Sequence, residues 1–329
     1  MIRRHRLTLC NFALCADNVN SRSVPLRRNV WWLSSKEYTM TSQICPLCQS
    51  TKHEKSFAVA KWDLLRCGDC GLFYISPYPP TDEAAHEKVR DAATETARTL
   101  DPEKQRLYDL QFYKRHLPFI EHQCDAAESI LDVGCGTGLL LEMLAGKPGL
   151  RRVGIELNAQ RAQYAEKHAG CPVYQVPIEH FTDDCRFDVI TLINVLSHIR
   201  SFDELFTSLL KLLAEGGRII IKTGQLALNV RKGDVRDWSI PEHFHFLGEN
   251  TIDYICRRYG LKVLVHERIS YADELYSRES FSTPGRSPAR RLLKKLIVAT
   301  PGALTLLAAM QNLKHKRRVH SAFIVLARA

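Results

Sequence analysis

The stretch Ile130-Leu131-Asp132-Val133-Gly134-Cys135-Gly136-Thr137-Gly138 decides the fold of this 329-residue chain. It reads as a buried strand ending in an acid, then a glycine-rich turn, then the apolar run Leu139-Leu140-Leu141-Glu142-Met143-Leu144 of a helix. Glycine lets a backbone bend sharply and approach a ligand with no side chain in the way. Such a strand–turn–helix holds a nucleotide-like cofactor at the carboxyl end of a parallel sheet. A dinucleotide fingerprint, G-x-G-x-x-G, would need its third glycine where Leu139 stands. Asp132 would sit badly beside a pyrophosphate and well beside an ammonium group.

Working outward from this turn, strand patterns fall at 129–133, 152–156, 172–175, 187–193, 218–223 and 262–268. Helical patterns fall at 138–146, 158–169, 202–214 and 249–259. The alternation predicts helices on both faces of a mainly parallel sheet, an α/β fold. Gly216-Gly217 is expected to end a helix and turn into the next strand. Residues 321–326 are apolar enough to supply a last strand. Upstream, 81–123 reads as polar and helical, with Leu107, Leu110, Tyr113 and Leu117 three to four residues apart.

The run D-x-G-x-G-x-G resembles the first motif of class I S-adenosylmethionine (SAM) methyltransferases. The resemblance implies SAM as cofactor and a Rossmann-like seven-stranded sheet whose last strand is antiparallel and lies beside the sixth. It implies a cofactor site of Asp132, Gly134, Cys135, Gly136 and Gly138, with Leu157 beside them. Glu156 ends the second strand 18 residues beyond Gly138, where a carboxylate can accept bonds from both ribose hydroxyls. Ile178 and Glu179, after the third strand, fall where the family contacts adenine. After the fourth strand the family usually carries acids near positions 194 and 197. Here Asn194 and Ser197 stand there, so this loop supplies no carboxylate, and Asn194 is carried as a candidate cofactor contact.

Cys45-Pro46-Leu47-Cys48 and Cys67-Gly68-Asp69-Cys70 form two C-x-x-C pairs separated by 18 residues. That spacing is a zinc signature, with four thiolates closing a tetrahedral structural site on two short hairpins of a zinc ribbon. A redox C-x-x-C is the rival reading, and it would need only one pair. Between Cys45 and Cys70 the charge is nearly balanced, and only Phe57 and Trp62 could stack on bases. Nucleic acid is therefore a poor partner, and a protein contact or substrate lid is the better use. A ribbon followed by this domain resembles bacterial methyltransferases of the quinone, sugar and cell-envelope type over about residues 44–275.

The chain carries a net charge of +10, but not in its body. Residues 1–39 hold seven Lys/Arg against two acids, and 278–318 hold ten against one. Residues 40–277 have 28 basic and 33 acidic residues, which argues against a fold-wide nucleic-acid surface. Residues 1–39 read as a disordered extension or a mis-assigned start before Met40, with an organelle transit peptide as the alternative. Eleven cysteines, an odd number in a long chain, fit a reducing, cytoplasmic setting. Near the C-terminus, 296–310 is apolar but broken by Pro301-Gly302, and cations flank it. The stretch is shorter than the ~20 residues needed to span a bilayer. It suits an interfacial helix, and 286–318 is expected to give peripheral contact at the inner membrane face. A helical insertion packed over the substrate pocket is the other reading.

The expected organisation is 1–39 as extension, 44–80 as ribbon, 81–123 as helical linker or lid, 124–275 as SAM-binding core, 276–318 as basic-apolar insertion and 319–329 as final strand. Methyl transfer is an in-line displacement, so holding donor and nucleophile collinear supplies most of the rate. His198, His243 and His245 are the candidate catalytic bases or substrate ligands. His243 and His245 share a face if the chain there is extended. They could equally be packed in the lid between Phe244 and Phe246. The expected acceptor is an oxygen or carbon of a small molecule: a quinol, sugar or lipid-linked glycan. The alternatives are an RNA or protein methyltransferase that recognises its substrate through the ribbon, and a catalytically silent scaffold.

Overall fold

The computed structural model describes residues 43–59, 62–78, 102–224, 226–227, 238, 240, 243–270, 288–314 and 319–329. The expectations placed on 1–39, on 81–101 and on the basic ends 276–287 and 315–318 lie outside the described residues.

Two sheets organise the chain. The first begins with β1 (His53–Val59), β2 (Trp62–Cys67) and β3 (Phe73–Ser76), an antiparallel meander. The second holds β4 (Ser129–Val133), β5 (Arg151–Ile155), β6 (Val173–Tyr174), β7 (Phe187–Ile193), β8 (Leu213–Thr223), β10 (Leu261–Ser270) and β11 (Val319–Arg328). Between β8 and β10 the short β9 (His245–Phe246) leaves the large sheet and pairs with β3 instead. The large sheet runs β10-β11-β8-β7-β4-β5-β6. Its strands are parallel from β8 to β6, while β11 is antiparallel to both β8 and β10.

This is the seven-stranded α/β sheet expected from the resemblance. Its central strands are buried on both faces, which is why they read as continuous apolar runs. Alternate residues feed two layers. Leu131, Ile190, Leu192, Ile219 and Ile221 face one cluster, and Ile130, Val189, Ile220 and Phe323 face the other.

Helices cover both layers: α1 (Pro102–Gln123), α2 (Leu139–Met143), α3 (Ala159–Ala169), α4 (Phe202–Leu212) and α5 (Thr251–Tyr259). The sequence dictates α4 plainly. Phe202, Leu205, Phe206, Leu209 and Leu212 recur on one buried stripe, and the Ser201 hydroxyl caps the helix by accepting the Glu204 amide. α1 is tied to α2 by Arg106, whose guanidinium grips both oxygens of Glu142. Two further helices, α6 (Pro288–Ala299) and α7 (Ala303–Lys314), occupy the basic-apolar segment.

One expectation needs correction. Gly216 and Gly217 do not turn a helix into a strand; both lie inside β8, which starts at Leu213 directly after α4. Gly216 takes φ 74°, and the β7–β8 register shifts there, so the glycine absorbs an irregularity within the strand. The cysteine module does hold the two expected hairpins, β1–β2 and β2–β3, and β9 from far along the chain adds a fourth strand. Trp62 is buried against Trp238, Phe244 and Phe246 and is not offered to solvent.

Candidate functional site

The cofactor turn is built by close approach. Gly134, Gly136 and Gly138 all take positive φ (71°, 57° and 73°). A Cβ on Gly134 would lie 2.6 Å from Val195 Cγ2, and one on Gly138 would lie 2.8 Å from Ala165 Cβ. The turn is therefore pressed between the loop after β7 and helix α3. The Gly134 and Cys135 amides both donate to the Ile155 carbonyl, at 2.8 and 3.0 Å, which fixes the turn over the end of β5.

Two carboxylates converge on this turn. Asp132 is 1% exposed; its Oδ1 accepts the Thr191 hydroxyl at 2.6 Å. Its Oδ2 is buried with no hydrogen-bond partner among the described residues. Burial drives the Asp132 carboxyl up to about 7, with the Thr191 bond opposing and the Glu156 charge adding to the rise. Glu156 accepts the Gly136 amide at Oε2 (3.0 Å) and the Asn158 amide at Oε1 (2.9 Å). A buried acid with one unsatisfied oxygen, directly before a turn of glycines, can receive a cation. That fits the ammonium of a SAM-like cofactor.

The other expected contacts are spread unevenly. Cys135 is buried, and burial pushes its thiol up, so it packs against Gly154 as an inert apolar residue. Ile178 is buried, whereas Leu157 and Glu179 are exposed beside the site. Asn194 takes φ 57° and donates its amide to the Lys222 carbonyl, ending β7 at the edge of the turn.

The three histidines come together beside the same loop. The His198 and His243 rings meet edge-on at 4.6 Å. His245 is 3% exposed, packed 5.0 Å from Phe202, with Nδ1 at 3.3 Å from the Leu196 carbonyl. Because a carbonyl only accepts, Nδ1 carries the proton and Nε2 the lone pair. Nε2 is buried without a partner among the described residues. Burial lowers His245 to about 3, with His198, Arg200 and His243 adding positive charge nearby, and burial lowers His243 as well. Leu196, Ser197, Phe202, Thr223, His245 and Leu247 pack around a narrow recess there with no room for a water molecule. Val195 touches the Gly134 backbone and Leu196 holds His245, so one short loop joins the cofactor turn to the histidines.

All four cysteine sulfurs lie within 4.8 Å of one another, with Cys45–Cys70 at 3.5 Å and Cys48–Cys67 at 3.4 Å. Zinc–sulfur bonds of ~2.3 Å in a tetrahedron would place sulfurs about 3.8 Å apart, so the set fits a zinc ion. The residue after each pair, Gln49 or Gly71, takes positive φ (62° and 74°), giving two matching knuckles.

A methyltransferase-domain family matches residues 100–266, half of the chain. The chain belongs to this family. It carries a class I SAM methyltransferase domain preceded by a small sheet with four clustered cysteines. Over 116 residues it is 35% identical to the ubiquinone biosynthesis O-methyltransferase of Idiomarina loihiensis, covering 32% of this chain and 47% of that one. Over 113 residues it is 29% identical to the mitochondrial ubiquinone biosynthesis O-methyltransferase of Schizosaccharomyces pombe, covering 32% and 41%. The match thus spans less than half the length of these relatives. Among solved structures it is similar to the N-methyltransferase NodS of Bradyrhizobium japonicum at 15% identity and TM-score 0.40, over 66% of this chain and 95% of that one.

Three residues of this methyltransferase domain escaped the sequence reading. Thr191 sits one strand away from Asp132 and holds its carboxyl. On α1, Asp109 is bonded by Gln105 at 2.8 Å, and burial, its largest influence, raises its carboxyl although Arg161 and Thr137 oppose the rise. Tyr113, one turn further, is buried with its phenol raised by burial and by the nearby Asp132 and Asp109. The helical spacing of Tyr113 was visible, but which turn that face would cover was not.

Proposed function

We propose that the protein transfers a methyl group from SAM to a hydroxyl oxygen of a small aromatic acceptor of the quinol class. The observation that carries this reading is the link Gly134–Val195–Leu196–His245, which sets an unpartnered imidazole lone pair beside the cofactor turn. Bound SAM supplies an electrophilic sulfonium methyl. Asp132, Gly134, Gly136, Gly138 and Glu156 would hold it, with Ile178 against the base. His245 Nε2 accepts a hydrogen bond from the acceptor hydroxyl and so aims the oxygen. As positive charge builds on that oxygen its proton becomes strongly acidic, and even a weak, neutral imidazole suffices to take it. His243 and His198 line the same wall. The names of the curated relatives, ubiquinone biosynthesis O-methyltransferases, support the quinol class over sugars and lipid-linked glycans.

A hydrophobic acceptor is met at a membrane. Leu292, Leu293 and Leu296 on α6 and Leu306, Met310 and Leu313 on α7 are each more than half exposed. The two helices are bent by 103° at Thr300–Gly302, and among the described residues no single helix is long and apolar enough to cross a membrane. With the surrounding Lys/Arg, this pair suits the surface of an anionic bilayer.

The test is radiolabel transfer from methyl-tritiated SAM to a panel of catechols and quinols, nucleotide sugars and total RNA. Labelled methyl ether on a catechol is the expected product. Incorporation confined to RNA or to sugars would overturn the acceptor class.

A further inference from the structure

The backbone of the four-cysteine module is continuous with the histidine wall. The second knuckle closes on itself through Cys67 N to Leu72 O at 2.8 Å and Gly71 N to Cys67 O at 3.1 Å, and leads directly into β3. β3 is the pairing partner of β9, with Tyr74 opposite His245 and Phe73 opposite Phe246. Phe244 is held from both sides. Its carbonyl accepts the Ile75 amide at 3.1 Å, and its own amide donates to the Ser197 carbonyl at 3.1 Å.

The exit from β9 is gripped by the same knuckle. Gly248 lies so close to the Gly71 carbonyl that a Cβ there would collide with it. The Gly248 amide donates to the Thr251 hydroxyl at 3.0 Å, and Asn250 and Thr251 pack around Gly71. β9 is two residues long, and a strand that short has almost no stability of its own. Its position is therefore set from outside, by β3 and the Cys67–Gly71 turn on one side and by Ser197 and Ala227, which bond Phe244 and Leu247, on the other. The cofactor turn takes its backbone bonds from β5, outside the knuckle, and meets the histidine wall through the Val195–Leu196 loop and the hydrophobic core that β4 shares with the knuckle.

We propose that metal bound by Cys45, Cys48, Cys67 and Cys70 positions the acceptor wall, fixing β9 and with it the orientation and tautomer of His245, while leaving the cofactor site independent. Gly71, Ile75 and Gly248 are then positioning residues. Without the ion, the two knuckles lose the bonds that cross-link them and are left with local backbone hydrogen bonds and packing, so the Cys67–Gly71 turn relaxes. The proposal builds on His245 as the acceptor-side residue, but its test uses no acceptor, so the two readings fail separately.

The experiment compares the zinc-loaded full chain with the same protein stripped by a chelator under reductant. Three signals are read: hydrogen exchange across 243–250 and across 130–138, ring-nitrogen NMR of histidine-labelled protein, and SAM binding by calorimetry. Stripping should speed exchange at 243–250 by about tenfold or more and abolish the fixed Nδ1–H tautomer of His245. SAM affinity should change by less than about threefold, as expected for uncoupled sites. Gly248→Ala with zinc still bound should reproduce the exchange and NMR changes. Unchanged exchange at 243–250 after stripping would overturn the proposal. So would loss of SAM binding along with it, or an undisturbed His245 signal in folded Gly248→Ala.

Discussion

Thr191 donates its hydroxyl to Asp132 Oδ1 at 2.6 Å across two adjacent parallel strands, and leaves Oδ2 buried and bare. One oxygen is satisfied by the fold and the other is kept for something else. Burial raises this carboxyl to about 7 from 3.8, so the fold favours its neutral form. The resulting stability is complete below 3.8 and is lost as the pH rises through about 7. A cationic ligand favours the ionised form, so binding should release a proton. SAM affinity should fall about tenfold from pH ~8 to pH ~6, with proton release seen by calorimetry in buffers of different ionisation heat. Asp132→Asn should raise the stability of the free protein at alkaline pH by roughly 1–3 kcal/mol while abolishing this pH dependence and weakening SAM. Affinity that is flat over this range would remove Asp132 from the cofactor site.

Glu156 uses one carboxylate oxygen for Gly136 and the other for Asn158, so both must be acceptors. Glu156→Gln keeps the shape but turns an amide donor toward one of the two N–H groups. SAM affinity should drop by about 1–3 kcal/mol, tenfold to more than hundredfold, with far-UV circular dichroism unchanged. Wild-type affinity in Glu156→Gln would argue that the ribose end lies elsewhere.

If His245 orients the acceptor as proposed, His245→Ala should lower kcat by about a hundredfold while SAM affinity stays near wild type. The same ring gives a signed stability effect. Its folded value of about 3 lies below the ordinary 6.5, so the unfolded chain takes up a proton that the native state refuses. Stability from this group is intact above about pH 6.5 and lost as the pH falls toward 3. Burial depresses His243 in the same direction. Urea midpoints of His245→Phe should therefore decline less than wild type on acidification. An identical acid slope would show that the ring is not buried neutral.

Deleting 286–318 should cut co-sedimentation with phosphatidylglycerol-containing vesicles about tenfold or more at low salt, since several cations each contribute about 1 kcal/mol near such a surface. Soluble catechol should still be methylated. Equal sedimentation of the deleted protein would leave α6 and α7 without a membrane role.

The chain's own residues determined a great deal. The acid-glycine turn at 132–138, the alternating elements of the core and the metal spacing of Cys45, Cys48, Cys67 and Cys70 are written in short-range patterns. Glycines, caps and apolar periodicity act within a few residues, so each can be read where it stands. Strand limits such as 129–133 and 187–193 coincide with β4 and β7 for that reason. The tertiary structure alone decided the rest. Only folding joins Tyr74 to His245, lays Asp109 and Tyr113 near the cofactor turn, and places Thr191 against Asp132. Those contacts link residues far apart in sequence. Their partners are chosen by packing and by the pairing of a two-residue strand with a distant edge, forces that leave no periodic trace in the chain.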